Sequence, residues 1–390
     1  MLIRILDSGG VPVHLMELAR GLQGRGWTVG LAVSSVAGDH PHDFTWFAAN
    51  NVPVFQVPFV GPSRSARNVV GGVTAFAKLL MVCRRFRPDL LHVHFRSTSV
   101  YARVVEMLMG IPFVSTLHSA VISRHGVFRI ASHWGARSIA VSQETYCTLV
   151  EDFSVRQDRI SLIHNGASED HFRPPSGHER RAAKVELGLD PDLFTMCSLG
   201  RLEPDKRHVD VIDALTLVRE RGHELQCVIA GEGSLRAELG ATVSEKGLEH
   251  AVHFVGYREP RTVYWAADLN VLASLVEGFP MVVVEAMLTA VPTLRTPAAG
   301  TADQIEHGRT GLVVNFTSPE QIAELVVTLI EQPEFRLALA RGAREFALEK
   351  FTARTMTSRT LDVYADVLTS PRAPSRRAAA KASLVGHRSR

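Results

Sequence analysis

The stretch Glu277-Gly-Phe-Pro-Met-Val-Val-Val-Glu285 decides how this chain folds. The apolar run before it, Leu269–Leu272, reads as a strand, and Met281–Ala290 reads as an apolar helix. The segment is therefore a strand–loop–helix junction, the repeating unit of an α/β sheet. It places Glu277 in the loop and Glu285 one turn into the helix. The first amides of a helix lack partners and carry partial positive charge, so they suit a phosphate. Two carboxylates beside a phosphate would repel it, unless they accept hydrogen bonds from hydroxyls. A sugar nucleotide, with hydroxyls on both sides of a diphosphate, meets both conditions.

The same unit recurs along the chain. Strand-like runs at Leu2–Leu6, Thr28–Val33, Val54–Val57, Leu90–His94, Phe113–Thr116, Ser138–Val141 and Ile160–Ile163 alternate with helical patterns such as Pro12–Gly24 and Val73–Phe86. The runs are short and often apolar on both faces, as in a covered parallel sheet. The prolines, glycine and polar residues of His171-Phe-Arg-Pro-Pro-Ser-Gly-His-Glu-Arg180 predict a linker. A second series follows at Leu193–Leu199, Gln226–Ala230, Val252–Val255, Leu269–Leu272, Pro292–Arg295 and Gly311–Val314. Helices are expected over Glu320–Glu331, Glu334–Lys350 and Thr352–Leu368. The pattern predicts an α/β protein of two doubly wound, Rossmann-like domains, residues 1–172 and 173–351, with a last helix over 352–369. Residues 370–390, rich in Ala, Arg, Ser and Pro, are expected to be a basic, disordered tail.

Length and composition agree with two ordinary domains: 390 residues, 46% apolar and 21% charged. No apolar run approaches the ~18 residues of a membrane span. The N-terminus runs straight into a strand, without the pattern of a signal peptide. Cys83, Cys147, Cys197 and Cys227 are far apart, and buried thiols are expected rather than disulfides. The net charge of +3 conceals an asymmetry: +5 over residues 1–175, −8 over 176–370 and +6 over 371–390. Basic residues cluster at Arg64, Arg67, Lys78, Arg84, Arg85 and Arg87. A solvated helix face accounts for them, and so does attraction to an anionic membrane surface or acceptor. The modest charge and acidic second half argue against nucleic acid.

Ligands of open α/β sheets bind beyond the carboxyl ends of the strands, so the polar residues there are the candidates. In Gly200-Arg-Leu-Glu-Pro-Asp-Lys-Arg207, Arg201 can grip a diphosphate through a planar fork and Lys206 as a point charge. An exposed charged turn is the bland alternative, and the two-glutamate segment favours the sharper one. Ser8-Gly9-Gly10 permits close approach of a backbone to phosphate, although a plain tight turn needs no more. His118, just past a strand, can meet a sugar hydroxyl or developing positive charge; a lone histidine is more often structural. His92 and His94 share a strand face and read as packed or hydrogen-bonded residues. Gly231-Glu-Gly233 reads as a turn, with Ser234 a candidate helix cap. Walker and Gly-x-Gly-x-x-Gly loops, a nucleophile elbow and metal-ligand spacing are all absent from the sequence.

Together these segments resemble the retaining glycosyltransferases of family 4, which have the GT-B fold of two Rossmann-like domains facing across a cleft. The resemblance is carried by Ser8-Gly-Gly with His14-Leu-Met-Glu-Leu-Ala-Arg-Gly-Leu, Asp89-Leu-Leu-His-Val-His94, Ser115-Thr-Leu-His118, Ala140-Val-Ser142, Ile163-His-Asn-Gly166, Gly200-Arg-Leu-Glu-Pro-Asp-Lys206, Ala230-Gly-Glu-Gly233, Phe254-Val-Gly256 and Glu277-Gly-Phe-Pro with Glu285-Ala-Met. It implies an acceptor-binding first domain, a donor-binding second domain and a last helix returning to the first. It implies that Arg201 and Lys206 hold the diphosphate, that Glu277 contacts the transferred sugar near the backbone of Phe279, Pro280, Met281 and Val282, and that Glu285 binds the ribose. His118 would meet the sugar from the first domain, Gly10 would lie against the phosphates, and the backbone near Arg258 would touch the base. Two departures stand out: Pro297-Ala-Ala-Gly300-Thr-Ala-Asp303 replaces the usual Gly-Gly loop, and His164 stands where a proline often precedes Asn-Gly.

The implied reaction is hexosyl transfer from a UDP-, GDP- or ADP-sugar to a hydroxyl of a glycan, glycolipid or lipid-linked acceptor, as in cell-surface polysaccharide or glycolipid synthesis. The resemblance implies retention of anomeric configuration, and no metal or other cofactor is expected because the positive charge is built in. A cytoplasmic protein is expected, with peripheral contact at the inner face of the membrane. The acceptor is expected among His40–Phe47, Gly61–Gly72 and Ser119–Arg129. The competing readings are a sugar-nucleotide epimerase of the same architecture and a non-catalytic scaffold with an inherited cleft.

Overall fold

A computed structural model describes residues 1–6, 9–36, 42–60, 66–119, 122 and 132–370. Ser8, much of the three acceptor segments and the tail 371–390 lie outside the described residues.

The strands form two all-parallel sheets. The first holds β1 (Leu2–Leu6), β2 (Leu31–Val36), β3 (Val54–Gln56), β4 (Leu91–Val93), β5 (Phe113–Leu117), β6 (Arg137–Ala140) and β7 (Ile160–Leu162) in the order β3-β2-β1-β4-β5-β6-β7. The second holds β8 (Phe194–Leu199), β9 (Leu225–Ala230), β10 (Val252–Gly256), β11 (Leu269–Leu272), β12 (Thr293–Arg295) and β13 (Leu312–Val313) in the order β10-β9-β8-β11-β12-β13. Both are doubly wound. Every residue of β5, β9 and β11 is buried, the polar Ser115, Thr116, Gln226 and Asn270 included, as befits strands covered on both faces.

The order of each sheet reverses at its first strand, between β1 and β4 and again between β8 and β11. Such a reversal opens a crevice at the carboxyl ends of the strands. It puts Gly9-Gly10 and His94 at the mouth of the first crevice, and Gly200–Lys206 and Glu277 at the mouth of the second.

The last helix, Ala353–Thr369, packs against the first, Gly10–Gln23. Met356, Val363, Tyr364 and Val367 join the core of the first sheet. Tyr364 Oη lies 2.6 Å from His92 Nδ1, and His92 Nε2 lies 2.7 Å from Thr116 Oγ1. His92 is thus the hydrogen-bonded core residue its strand position suggests. All four cysteines are free, and Cys83, Cys197 and Cys227 are buried.

Two local readings need correction. The segment 171–180 is not wholly linker, because a helix begins at Gly177 with Ser176 and Glu179 forming a reciprocal capping box. Ser234 is not a helix cap: its amide and hydroxyl bind the Glu203 carboxylate at 3.0 and 2.8 Å, and the helix starts two residues later at Arg236.

Candidate functional site

A cleft of about 450 Å³ lies between the two sheets. It gathers Gly10, His118, Arg201, Lys206, Arg258, Glu277, Phe279, Pro280, Met281, Val282 and Glu285. A larger cavity of about 570 Å³, lined by Met1, Arg25, Asp89 and Tyr364 among others, lies on the first domain. It shares none of these residues.

Lys206 belongs to a short turn, Pro204–Lys206, after β8. Its Nζ is 2.8 Å from Glu277 Oε1 and 3.4 Å from Asp205 Oδ2. The cation and the carboxylate that sequence alone made partners of one ligand are therefore ion-paired across β8 and β11. The guanidinium of Arg201, exposed at the rim, makes no hydrogen bond or ion pair among the described residues. The helix Met281–Leu288 starts at the cleft with Pro280 as its N-cap and no side chain on its first amides. One guanidinium and these amides thus remain to receive an anion.

Glu285 is 2% exposed and its Oε2 has no partner. Burial first, then repulsion from Glu259 and Glu17, pushes its carboxyl up to about 8. A carboxyl so placed is matched by hydroxyls, which can accept from its neutral form and donate to its charged one.

The wall opposite is built from the first domain. His118 follows β5, and its Nε2 is 3.1 Å from His94 Nδ1. Burial, with His14 and His92 nearby, holds His118 well below the usual imidazole range, so it faces the cleft neutral. His14 closes the group, its ring centroid 4.8 Å from that of His118. Sequence spacing could not reveal this trio, because one member is on the first helix and two are on separate strand ends.

Close backbone approach holds the two walls together. A Cβ on Gly278 would collide with the His118 carbonyl oxygen. Gly231, at φ +144°, turns the chain under Gly200, where a side chain would strike the Gly200 carbonyl. Asn165 Nδ2 donates to the Phe279 carbonyl at 3.3 Å, and the His164 ring stacks on Phe279 at 5.0 Å. His164 in place of proline thus packs against a cleft residue.

The unusual 297–303 loop is shaped by a residue the sequence did not single out. Arg295 is fully buried, reaches the Ala298 and Ala299 carbonyls at 3.3 and 3.2 Å, and pairs with Gln304. The loop is bound to the first domain by Gly300 N to Glu144 Oε2, 3.1 Å, and Gln143 N to Asp303 Oδ2, 2.8 Å. An arginine inside an otherwise apolar strand end was the available signal.

Two family models match the chain: Glycosyltransferase Family 4 over residues 8–171 and Glycosyl transferases group 1 over residues 179–346. An uncharacterized glycosyltransferase of Methanocaldococcus jannaschii is 25% identical over 372 residues, 91% of this chain and 94% of that one. A D-inositol 3-phosphate glycosyltransferase of Pseudarthrobacter chlorophenolicus is 26% identical over 381 residues, covering 90% and 88%. Among solved structures, Anabaena HepE in complex with UDP superposes with a TM-score of 0.78 at 22% identity, over 94% of this chain and 100% of the other. HepE in complex with UDP-glucose gives 0.77 at 22%, over 93% and 99%.

Proposed function

The chain belongs to the family 4, group 1 glycosyltransferases, whose two models between them span most of it, and from that premise we propose that it transfers a sugar from a nucleotide diphosphate sugar to an acceptor hydroxyl with retention of configuration. The observation that carries the proposal is the unpartnered, buried Glu285 one turn below a free helix N-terminus, with Lys206 and Arg201 beside them. That arrangement matches a ribose hydroxyl pair next to a diphosphate.

In this reading the C1–O bond to the β-phosphate breaks as the acceptor oxygen bonds C1 on the same face. The departing phosphate oxygen takes the acceptor proton, so the step balances without a protein base. Arg201, Lys206 and the amides of Phe279, Met281 and Val282 offset the negative charge that grows on the phosphate. Lys206 exchanges part of its bond to Glu277 for phosphate, which frees Glu277 to meet a sugar hydroxyl. Neutral His118 bears on the sugar from the opposite wall and adds no positive charge against an oxocarbenium-like centre. Gly10 lets the first helix approach the phosphates, and the backbone at Arg258 flanks the base. The positive charge comes from protein groups, so the transfer is expected to proceed in the presence of chelator.

The HepE complexes make UDP-sugars the first donors to test, with GDP- and ADP-sugars as the comparison. A glycan or lipid-linked acceptor, in cell-surface polysaccharide or glycolipid synthesis, fits the surface of the first domain. The helix Ala66–Phe86 exposes Val70, Val73 and Met81 in the same segment as Lys78, Arg84 and Arg85, and Met107 and Leu108 are exposed on a neighbouring helix. Apolar and basic residues together favour peripheral contact with an anionic lipid surface. No helix among the described residues is long and apolar enough to cross a membrane. A cytoplasmic enzyme at the inner membrane face goes with this reading. The match to glycosyltransferases leaves the epimerase and scaffold readings without support.

The test is a thermal-shift and donor-hydrolysis screen of UDP-, GDP- and ADP-sugars, with chelator, on the native protein and on Lys206→Ala. A nucleotide response that the variant loses supports the proposal. A response equal in both refutes the diphosphate site.

A further inference from the structure

Transfer calls on one of the three clustered histidines, His118, and leaves the other two unexplained. His14 and His94 are 4% and 3% exposed, yet neither nitrogen of His14 nor Nε2 of His94 makes a well-formed hydrogen bond, although the Asn165 side chain lies close enough to His14 to interact with it. Leaving a buried polar atom unpaired costs about 1–3 kcal/mol, and three occur here within one cluster. One nitrogen from each ring lies within 4.8 Å of the others.

The ring centroids have the spacing of ligands around one ion, and the nitrogens, within 4.8 Å of one another, must draw in to about 3.3 Å to share it. With a metal–nitrogen bond of about 2.0–2.1 Å and tetrahedral angles, imidazole centroids around a shared zinc stand about 5 Å apart. The observed separations are 4.8, 5.4 and 5.5 Å. Two ligand nitrogens on such an ion are about 3.3 Å apart, and His94 Nδ1 and His118 Nε2 are separated by 3.1 Å. Burial keeps all three rings neutral, the form in which imidazole coordinates a metal. An all-imidazole set without carboxylate or thiolate selects late first-row dications and disfavours magnesium and calcium.

We propose that His14, His94 and His118 form a binding site for one zinc-class dication at the wall of the cleft. The ion replaces the His94–His118 hydrogen bond and gives one nitrogen of His14 a partner. Its occupation withdraws His118 from the sugar, so the ion inhibits transfer. That consequence rests on the sugar-facing reading of His118, whereas the site itself does not.

The test uses untagged, metal-free, full-length protein titrated with Co²⁺ and then Zn²⁺. One equivalent of Co²⁺ should give the intense visible bands of four-coordinate cobalt, and Zn²⁺ should remove them. His14→Gln and His94→Gln should each weaken Zn²⁺ binding more than roughly 100-fold, beyond the 10–100-fold expected from losing an outer-shell partner. His250→Gln, at an exposed position, should bind as the native protein does. Circular dichroism verifies folding, and X-ray absorption counts three imidazoles on native protein if either variant fails to fold. Absence of a stoichiometric cobalt band, or a band that persists in folded His14→Gln and His94→Gln, overturns the site. Stoichiometric zinc at these ligands with transfer undiminished upholds the site and refutes the sugar-facing role of His118.

Discussion

Replacing Glu285 by Gln should stabilise the empty protein while weakening nucleotide binding, and the stabilisation should depend on pH. The folded carboxyl titrates at about 8, raised from an ordinary 4.5 by burial first and by Glu259 and Glu17 second. Below pH 4.5 both folded and unfolded forms hold the proton, and the group contributes nothing. Between 4.5 and 8 the folded form keeps a proton that the unfolded chain releases, so stability falls by about 1.4 kcal/mol per pH unit. Above 8 the loss is complete, with a ceiling of roughly 5 kcal/mol. Water entering the cleft would leave the slope unchanged and close the window sooner; halving the shift leaves roughly 2 kcal/mol. Glutamine fills the same space without titrating, so Glu285→Gln should melt about 4–8 °C higher than native protein at pH 8 and nearly level with it at pH 4.5. Thermal melts at pH 4.5, 6.5 and 8, with chelator and without nucleotide, measure the difference. Nucleotide titration calorimetry should show weaker binding in the variant and, for the native protein, proton release on binding, because ribose hydroxyls favour the charged carboxylate. A melting difference constant across pH, or a variant less stable at pH 8, would refute the assignment of a buried, unpaired carboxyl.

Lys206→Ala and Arg201→Ala should each lower kcat by about 10²–10³, since each removes a charge aimed at the leaving group; Arg201→Ala should leave the melting temperature nearly unchanged, whereas Lys206→Ala strands the Glu277 carboxylate and should lower it, as steady-state transfer assays and thermal melts would show. Gly278→Ala should reduce kcat and destabilise the protein by about 1–3 kcal/mol, because the new methyl meets the His118 carbonyl and the walls must part; urea unfolding alongside transfer assays measures both. Tyr364→Phe should cost about 1–3 kcal/mol by leaving buried His92 Nδ1 unpaired, read by the same unfolding curves. Deleting residues 371–390 should weaken binding to anionic vesicles and leave donor hydrolysis unchanged, as a sedimentation assay would show.

The strands were legible because most are short, largely apolar runs, several of them buried on both faces as in β5, β9 and β11, and the stretches between them carry helical periodicity. The cleft was legible because ligands meet α/β sheets at strand ends, where Gly10, His118, Gly200–Lys206 and Glu277 are written as polar punctuation after apolar runs. Three things were not. The histidine trio assembles from a helix and two strand ends, so no spacing encodes it. Arg295 shapes the 297–303 loop by pointing inward, and a sequence does not state which way an arginine points. The pairing of Lys206 with Glu277 arises from sheet order: β8 and β11 are neighbours, although 71 positions separate the two residues. The Ser176–Glu179 capping box, by contrast, was readable and marks the helix start within the expected linker.

The chain passes between the two domains twice, and the passages run side by side. Ala167 N bonds Phe351 O at 3.0 Å, and Ala353 N bonds Ala167 O at 2.8 Å. Gly166 lies so close to the Thr352 carbonyl that no side chain fits between them. Two strips stitched together define a line, and bodies joined along a line can swing but cannot slide or twist freely. Opening and closing of the cleft therefore has one easy direction, rotation about the Ala167–Thr352 seam. A protease cut in either strip alone would leave the other to hold the halves in register, so a nicked enzyme should still shut over its substrates.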